Sequence, residues 1–270
     1  MGRSLSAVCL LTVVFFIIVC FSAIRASSQS LPPARPDGFV YLTHPVDSDT
    51  IIIDAFFDPV CPDSRDAWWP LKKALDHYGS LLWLVVHLLP LPYHDNAFVT
   101  SRALHIVNSL NSSATFDLLE LFFEQQEKFY NERTINLSKA SVVKSIAKFA
   151  SQAVGESFYS AIEAGFSDLK SDLKTRVSFK YSTSNGVSST PSFFLNGFLL
   201  PRAGSPIDFQ GWKSYIDPLI GSIANQWDEP LHYFLSVGGM FDHVIMCDSV
   251  NIFDIPIQML PFPFITSDTN

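Results

Sequence analysis

The stretch that decides the fold is residues 50–64, TIIIDAFFDPVCPDS, which joins a buried strand to the start of a helix. Thr50–Phe57 is β-branched and aromatic, a composition typical of a central strand. After a three-residue loop the composition becomes helical from Cys61 to about Tyr78, where Gly79 marks the end. Pro62 suits the first helical position, because its missing N–H has no partner there anyway. Cys61 is therefore predicted to be the helix N-cap.

A cysteine at that position has two physical interpretations. Unpaired backbone amides and the positive end of the helix dipole favour a thiolate, which makes the sulfur a nucleophile. Asp63 opposes this, since a carboxylate one turn away disfavours a second negative charge. A buried free cysteine also commonly acts as a small apolar residue. The sequence predicts a reactive Cys61, with an inert cysteine as the alternative.

The flanking segments supply more strands and a block of helices. Phe39–Leu42 is predicted as a short strand, and Leu81–Leu89 as a second buried strand. Residues 95–184 show repeating apolar spacing typical of helices. Asn196-Gly197, between Ser192–Leu195 and Phe198–Leu200, predicts a hairpin with a type I′ turn. An amphipathic helix follows from Phe209 to about Ile223.

A second motif lies directly before the hairpin, where residues 189–197 read STPSFFLNG. Proline at the start of a strand is tolerated at a sheet edge or as a cis peptide in a tight turn. Together with Cys-Pro-x-x after a buried strand, this motif resembles the thioredoxin superfamily over about residues 38–226. The helical block, and PLPYHDNA at residues 90–97, resemble its bacterial periplasmic disulfide-oxidoreductase branch. The resemblance implies an α/β thioredoxin-like fold with a central mixed β-sheet and an inserted all-helical subdomain at about residues 95–184.

The resemblance also implies roles for individual residues. Cys61 matches the attacking cysteine, and Thr190-Pro191 matches the cis-proline pair whose backbone lines the substrate groove, beside Pro62. The departure is Ser64, because the redox-active pattern has a resolving cysteine there and a hydroxyl cannot resolve a mixed disulfide. The motif is thus a monothiol Cys-Pro-x-Ser. Asp54 resembles the buried acid of the family but stands seven residues before Cys61.

The ends of the chain are expected to lie outside the domain. Residues 1–30 have the layout of a signal peptide, with an uncleaved membrane anchor as the alternative. Residues 31–37 form a proline-rich linker, residues 38–227 the domain, and residues 228–270 a tail of low periodicity, loosely ordered. The sequons at Asn111 and Asn136 fit a secreted glycoprotein. We expect a protein of the endoplasmic reticulum lumen, vacuole or extracellular space.

Charge and composition exclude several classes of function. The formal net charge is −8, and loss of Arg3 and Arg25 with the signal peptide makes it −10, so no nucleic acid partner is expected. Cys9 and Cys20 lie in the signal peptide, which leaves Cys61 and Cys247. The histidines lack metal-ligand spacing, and no glycine-rich phosphate loop is present. No cofactor is expected, apart from glutathione as a co-substrate.

The sequence leaves three functions open. The first is a monothiol thiol-disulfide oxidoreductase or isomerase, in which Cys61 forms mixed disulfides with protein thiols or glutathione. The second is a redox-inactive module that binds extended polypeptide in the groove beside Thr190-Pro191. The third is a glutathione-using transferase or isomerase of the kappa type, in which serine often occupies the cysteine position. Reactivity of the Cys61 thiol separates the first from the second, and glutathione affinity separates out the third.

Overall fold

The computed structural model describes residues 36–41 and 45–228 of the chain. The predicted signal peptide, most of the linker, the tail and Cys247 lie outside these residues. The chain divides into two units, Met1–Ile223 and Ala224–Asn270. Of the second unit only residues 224–228, the end of a helix, are described. None of the described helices is both long enough and apolar enough to cross a membrane.

Five strands form one mixed sheet in the order β1-β3-β2-β4-β5. Their bounds are β1 Phe39–Val40, β2 Ile51–Phe57, β3 Leu82–Leu88, β4 Ser192–Leu195 and β5 Phe198–Leu199. β2 and β3 are parallel, with Phe57 opposite Leu88, and the other pairs are antiparallel. The carboxyl ends of β2 and β3 therefore lie side by side. This edge of the sheet carries the site described below.

Eight α-helices surround the sheet within the described part of the chain. α1 is Pro62–Tyr78 and connects β2 to β3. α8, Phe209–Asp228, follows the hairpin. The helical block between β3 and β4 has six helices: α2 Ala97–Leu110, α3 Thr115–Gln125, α4 Asn131–Thr134, α5 Lys139–Val154, α6 Tyr159–Gly165 and α7 Leu169–Ser184. The expected fold class, a central mixed sheet with an inserted helical subdomain, is confirmed.

An aromatic core holds the helices against the sheet. Trp68 of α1 is fully buried and its ring contacts Phe57 of β2 edge to face. Phe57 also contacts Phe123 of the helical block and Phe193 of β4. Since each large buried side chain contributes roughly 1.5–3 kcal/mol of hydrophobic stabilisation, this cluster fixes α1 on the sheet. The start of α1, where Cys61 lies, is thereby held in place.

Several bounds differ from the predicted ones, most of all at the two ends of the domain. α8 continues to Asp228 instead of ending near Ile223, and it includes Pro218 and Gly221. At the other end, Asp37 was assigned to the linker, yet its side chain is 5% exposed and contacts His87 of β3. The predicted strand to Leu42 is observed only as Phe39–Val40, and residues 42–44 lie outside the described part.

Candidate functional site

Cys61 is the N-cap of α1, as predicted, with Pro62 at the start of the helix. Its backbone is extended, with φ −84° and ψ 123°, and its side chain forms no capping hydrogen bond. The residue is 4% exposed and packs with Phe56 and Val187 in a small apolar cluster. The cysteine therefore lies at the positive end of α1 and is buried.

The loop at Thr190-Pro191 lies directly against Cys61, although the two are far apart in sequence. The Sγ–H group of Cys61 donates a hydrogen bond to the carbonyl oxygen of Thr190 at 3.4 Å. The Thr190–Pro191 peptide bond is cis. The carbonyl of Pro191 is already engaged, since it accepts a hydrogen bond from the backbone of Gly204 at 2.7 Å. The two sequence motifs thus form a single site.

Ser64 is completely buried one turn into α1. Its hydroxyl oxygen accepts a hydrogen bond from the backbone N–H of Asp58 at 3.3 Å. The side chain thus supports the loop before Cys61. It supplies no second sulfur to the site.

Asp58, which sequence reasoning placed only in a loop, organises the site. It is fully buried, and Oδ1 accepts from the backbone N–H of Val60 at 3.0 Å. Oδ2 accepts from the backbone of Leu91 at 3.1 Å and from Nδ1 of His94 at 2.8 Å. The carboxylate thus ties the loop after β2 to the loop after β3. Residues that follow adjacent parallel strands meet at one edge of the sheet, and this was the signal available in the sequence.

His94 lies in the loop between β3 and α2. Its side chain is 21% exposed. Because a carboxylate only accepts hydrogen bonds, the contact with Asp58 requires the proton on Nδ1 and leaves the Nε2 lone pair free in the neutral ring. Asp58 and His94 together form a carboxylate–histidine pair beside the Cys61 loop.

Gln126 is a second organising residue that the sequence did not indicate. It is fully buried, and Nε2 donates to the carbonyl oxygens of Pro59 and Cys61, each at 3.2 Å. Its Oε1 accepts from the Tyr130 hydroxyl at 2.8 Å. The helical block therefore holds the backbone of the cysteine loop directly.

Asp54, which resembles the buried acid of the family, does not join the site. It lies on β2 and its carboxylate contacts His87 at 3.1 Å. Asp58 is the fully buried carboxylate next to the cysteine loop.

A cavity of about 250 Å³ opens beside the start of α1. Its lining includes Val60 and Pro62, which flank Cys61, together with Tyr93, His94 and Tyr130. Burial raises the pKa of Tyr93, and the nearby Cys61 sulfur and the carboxylates of Asp58 and Asp63 raise it further. A larger cavity of about 480 Å³ lies within the helical block, and its lining includes none of these residues.

The remaining predicted positions lie away from the site. Asn111 and Asn136 are both exposed, as an acceptor of a glycan must be. Trp68 is fully buried in the core, whereas Trp69 is 41% exposed. Within residues 36–41 and 45–228, no group of three His, Cys, Asp or Glu side chains is arranged to hold a metal ion.

Comparison with known proteins gives a family and a fold. A thioredoxin family model matches residues 48–218. No curated protein matches the chain significantly. Among solved structures, the chain is similar to a candidate protein-disulfide isomerase from Pseudomonas syringae, with 18% identity, a TM-score of 0.55, and coverage of 68% of this chain and 98% of that one.

The chain is also similar to the catalytic domain of Proteus mirabilis ScsC, with 15% identity, a TM-score of 0.50, and coverage of 73% of this chain and 96% of that one. A transitional conformation of the same protein gives 15% identity, a TM-score of 0.51, and coverage of 82% and 94%. At these identities the structural similarity establishes the fold.

Proposed function

The chain belongs to the thioredoxin family, and from that membership we propose that it catalyses thiol–disulfide exchange through a single cysteine, Cys61. The observation that carries the proposal is the contact between Sγ of Cys61 and the Thr190 carbonyl at 3.4 Å. It places the sulfur at a helix N-terminus and against the backbone of the loop that precedes β4. A nucleophile and a binding surface for extended polypeptide are thus adjacent.

The reaction has two exchange steps. The thiolate of Cys61 attacks one sulfur of a substrate disulfide, forming a Cys61–substrate disulfide, and the other substrate sulfur leaves as a thiolate that takes up a proton. An external thiol, from a protein or from glutathione, then loses its proton and attacks the substrate sulfur of that mixed disulfide. Cys61 leaves as a thiolate. One disulfide is present before and after the cycle, so the net result is exchange or isomerisation.

Ser64 is the reason that the second step needs an external thiol. In a Cys-Pro-x-Cys site the second sulfur attacks the mixed disulfide from within the helix. The buried Ser64 hydroxyl is engaged with the backbone of Asp58 and cannot take that role. The mixed disulfide should therefore persist until a thiol arrives from outside.

We place the reaction in the secretory pathway, where disulfide substrates occur. The apolar N-terminal segment and the exposed sequons at Asn111 and Asn136 support this location. Expression with the native N-terminus in a eukaryotic secretory cell, followed by glycosidase treatment, tests it. A mobility shift that Asn111→Gln and Asn136→Gln each reduce is expected, and an unchanged mobility would contradict the location.

The exchange reaction is tested by trapping. The native chain is incubated with an excess of a fluorescent peptide disulfide, and adducts are separated on non-reducing gels, with the modified cysteine located by peptide mass mapping. We expect an adduct at Cys61 that dithiothreitol removes and that Cys61→Ser abolishes. Absence of the Cys61 adduct from a folded chain, checked by circular dichroism, would reject the proposal.

A second candidate function is polypeptide binding without a redox step. It is favoured by the burial of Cys61 and by the exposed apolar side chains of the edge strand β5, where Phe198 is 79% and Leu199 51% exposed. Binding of this kind should survive Cys61→Ala, whereas covalent capture should not. Titration of a cysteine-free peptide against both chains measures the non-covalent binding, and the trapping assay above measures the covalent capture.

A further inference from the structure

The exchange reaction at Cys61 and Thr190-Pro191 gives no role to the cavity beside the cysteine loop. Both neighbours of Cys61 in the chain, Val60 and Pro62, line it, so it lies against the loop that carries the sulfur. Its volume of about 250 Å³ suits a small group such as a cysteine side chain with its adjoining backbone. A thiol held there would lie between the cysteine loop and residues 129–132 of the helical block, which also line the cavity.

His94 is the basic group that faces this cavity. The buried carboxylate of Asp58 accepts the hydrogen on Nδ1 at 2.8 Å, which fixes the ring orientation and leaves Nε2 as the proton acceptor. A second cavity of about 370 Å³ also touches His94, but its lining includes no residue of the loop from Asp58 to Cys61. The smaller cavity is thus the one that joins a base to the reactive loop.

The charges around the cavity are negative. Glu132 lines it, no lysine or arginine does, and Asp63 follows Pro62 directly. The nearby Arg65 guanidinium is already paired with Asp66 at 2.9 Å and with Glu127 at 3.3 Å. Burial raises the pKa of Tyr130, the charge of Arg65 lowers it, and the charges of Glu127 and Cys61 raise it further. Such a surface disfavours a thiol that carries carboxylates.

We propose that this cavity receives the external thiol that resolves the Cys61 mixed disulfide, that His94 takes the proton of that thiol, and that the preferred thiol is neutral or cationic. The inference rests on the proposed exchange function and names its second reactant. A cysteine flanked by lysine or arginine in a polypeptide fits this chemistry better than glutathione, whose carboxylates outnumber its amine.

The step balances without any oxidant. The S–H bond of the incoming thiol breaks, its proton moves to Nε2 of His94, and its sulfur forms a bond to the substrate sulfur. The bond between Cys61 and the substrate breaks, and both of its electrons stay on Sγ of Cys61. The proton on His94 is then available to this departing thiolate.

The charge preference is tested on a preformed adduct. Cys61 is linked to an uncharged fluorescent cysteine peptide, and release of the peptide is timed with cysteamine, 2-mercaptoethanol, 3-mercaptopropionate and glutathione. Each rate is divided by the rate for the same thiol with the peptide disulfide of free cysteine. We expect the corrected rate for cysteamine to exceed that for 3-mercaptopropionate by about tenfold at low salt and by less at high salt.

Two matched substitutions locate the effect. Glu132→Gln should reduce the preference for the cationic thiol, whereas Glu124→Gln, an exposed acid on α3 outside the cavity lining, should leave it unchanged.

His94→Asn retains a donor for Asp58 and removes the base. It should slow release by alkyl thiols about tenfold or more, since these are mostly protonated near neutral pH. Release by an aromatic thiol, which is largely ionised already, should change little.

The possible results distinguish failure of this inference from failure of the proposed exchange function. If no Cys61 adduct forms, the exchange function fails and the inference fails with it. If the adduct forms but the corrected rates are independent of thiol charge, or His94→Asn slows alkyl and aromatic thiols equally, the inference alone is overturned. If His94→Asn does not fold, the Glu132→Gln and Glu124→Gln pair still decides the matter.

Discussion

Oδ1 of Asp54 lies 3.1 Å from Nε2 of His87, on the strand next to it in the sheet. The other ring nitrogen of His87 lies 3.2 Å from Oδ2 of Asp37, just before β1. A carboxylate only accepts hydrogen bonds, so both nitrogens donate only when the ring carries the extra proton. When the ring carries that proton, Asp37 and Asp54 both accept hydrogen bonds from it, and these contacts tie the N-terminal edge of the domain to its central strands.

This arrangement predicts a pH dependence of stability. Burial alone lowers the pKa of His87, but the hydrogen bonds and charges of Asp37 and Asp54 outweigh burial and raise it above its ordinary value. The folded state thus binds this proton more tightly than the unfolded state. The contribution of His87 is fully present below about pH 6.5 and is lost as pH rises through the folded-state pKa.

Urea denaturation at a series of pH values measures the effect. His87→Gln should lower the free energy of unfolding most at acidic pH, and the difference from the native chain should shrink as pH rises. The exposed His77 provides the control, because His77→Gln should leave the pH dependence unchanged. A difference for His87→Gln that grows with pH would contradict the assignment.

The adjacent tryptophans of α1 predict losses of stability of very different size for the same substitution to alanine. Trp68 is fully buried against Phe57 and Phe123, and its indole N–H donates to Glu120 at 3.1 Å. Trp68→Ala should therefore lower the free energy of unfolding by about 3–5 kcal/mol. Trp69→Ala should change it by about 0.5 kcal/mol or less, because its ring is 41% exposed. Equal losses in urea titrations of the two variants would show that the core is assigned wrongly.

Gln126 predicts a link between the helical block and the reactivity of Cys61. Gln126→Leu leaves the buried carbonyls of Pro59 and Cys61 without their side-chain donor, at a cost of about 1–3 kcal/mol. The loosened loop should also expose the sulfur and speed its alkylation. Rates with iodoacetamide, located by mass mapping, check this. Gln125→Leu, next to it on α3 and half-buried, should change neither quantity measurably, and unchanged alkylation in Gln126→Leu would argue against a direct link.

Local signals in the sequence predicted much of the fold. The helix start at Cys61, the apolar strands and the turn at Asn196-Gly197 each depend on residues close together in the chain, and these features are present in the structure. The partners of Asp58 could not be read in this way. His94 is 36 residues away, and its contact with Asp58 depends on the parallel register of β2 and β3.

Asp54 also shows that contacts between strands are difficult to predict from the sequence. A strand residue with a carboxylate near a cysteine motif resembles a family acid, but its contacts depend on what the adjacent strand carries opposite it. Here Val85 of β3 is opposite Asp54, and His87, two residues further along β3, engages Asp54 within the sheet. The sequence did not indicate Gln126 as a site residue, because a glutamine in a helical stretch is ordinarily exposed. It is buried here because the helical block packs on the cysteine loop.

The last prediction concerns Ser64, where one atom separates this site from a dithiol site. Residues three apart at a helix start face the same side, with Cβ atoms about 5–6 Å apart, within the range from which a disulfide can close after small adjustment. Ser64→Cys loses one hydrogen bond of 3.3 Å from the Asp58 backbone, so the cost to stability should be about 1 kcal/mol or less.

With the second sulfur in place, the mixed disulfide on Cys61 has an internal resolver. The variant should accumulate fewer trapped adducts than the native chain, and in the presence of dithiothreitol it should reduce insulin disulfides faster than the native chain does. Cys61→Ser combined with Ser64→Cys should abolish the gained activity, and Ser64→Ala should retain the trapping behaviour of the native chain. Because the variant differs only at a buried position that already faces the cysteine loop, a folded Ser64→Cys chain without insulin reduction would mean that Cys61 is not a nucleophile. Polypeptide binding at the Thr190-Pro191 groove would then be the better explanation of the site.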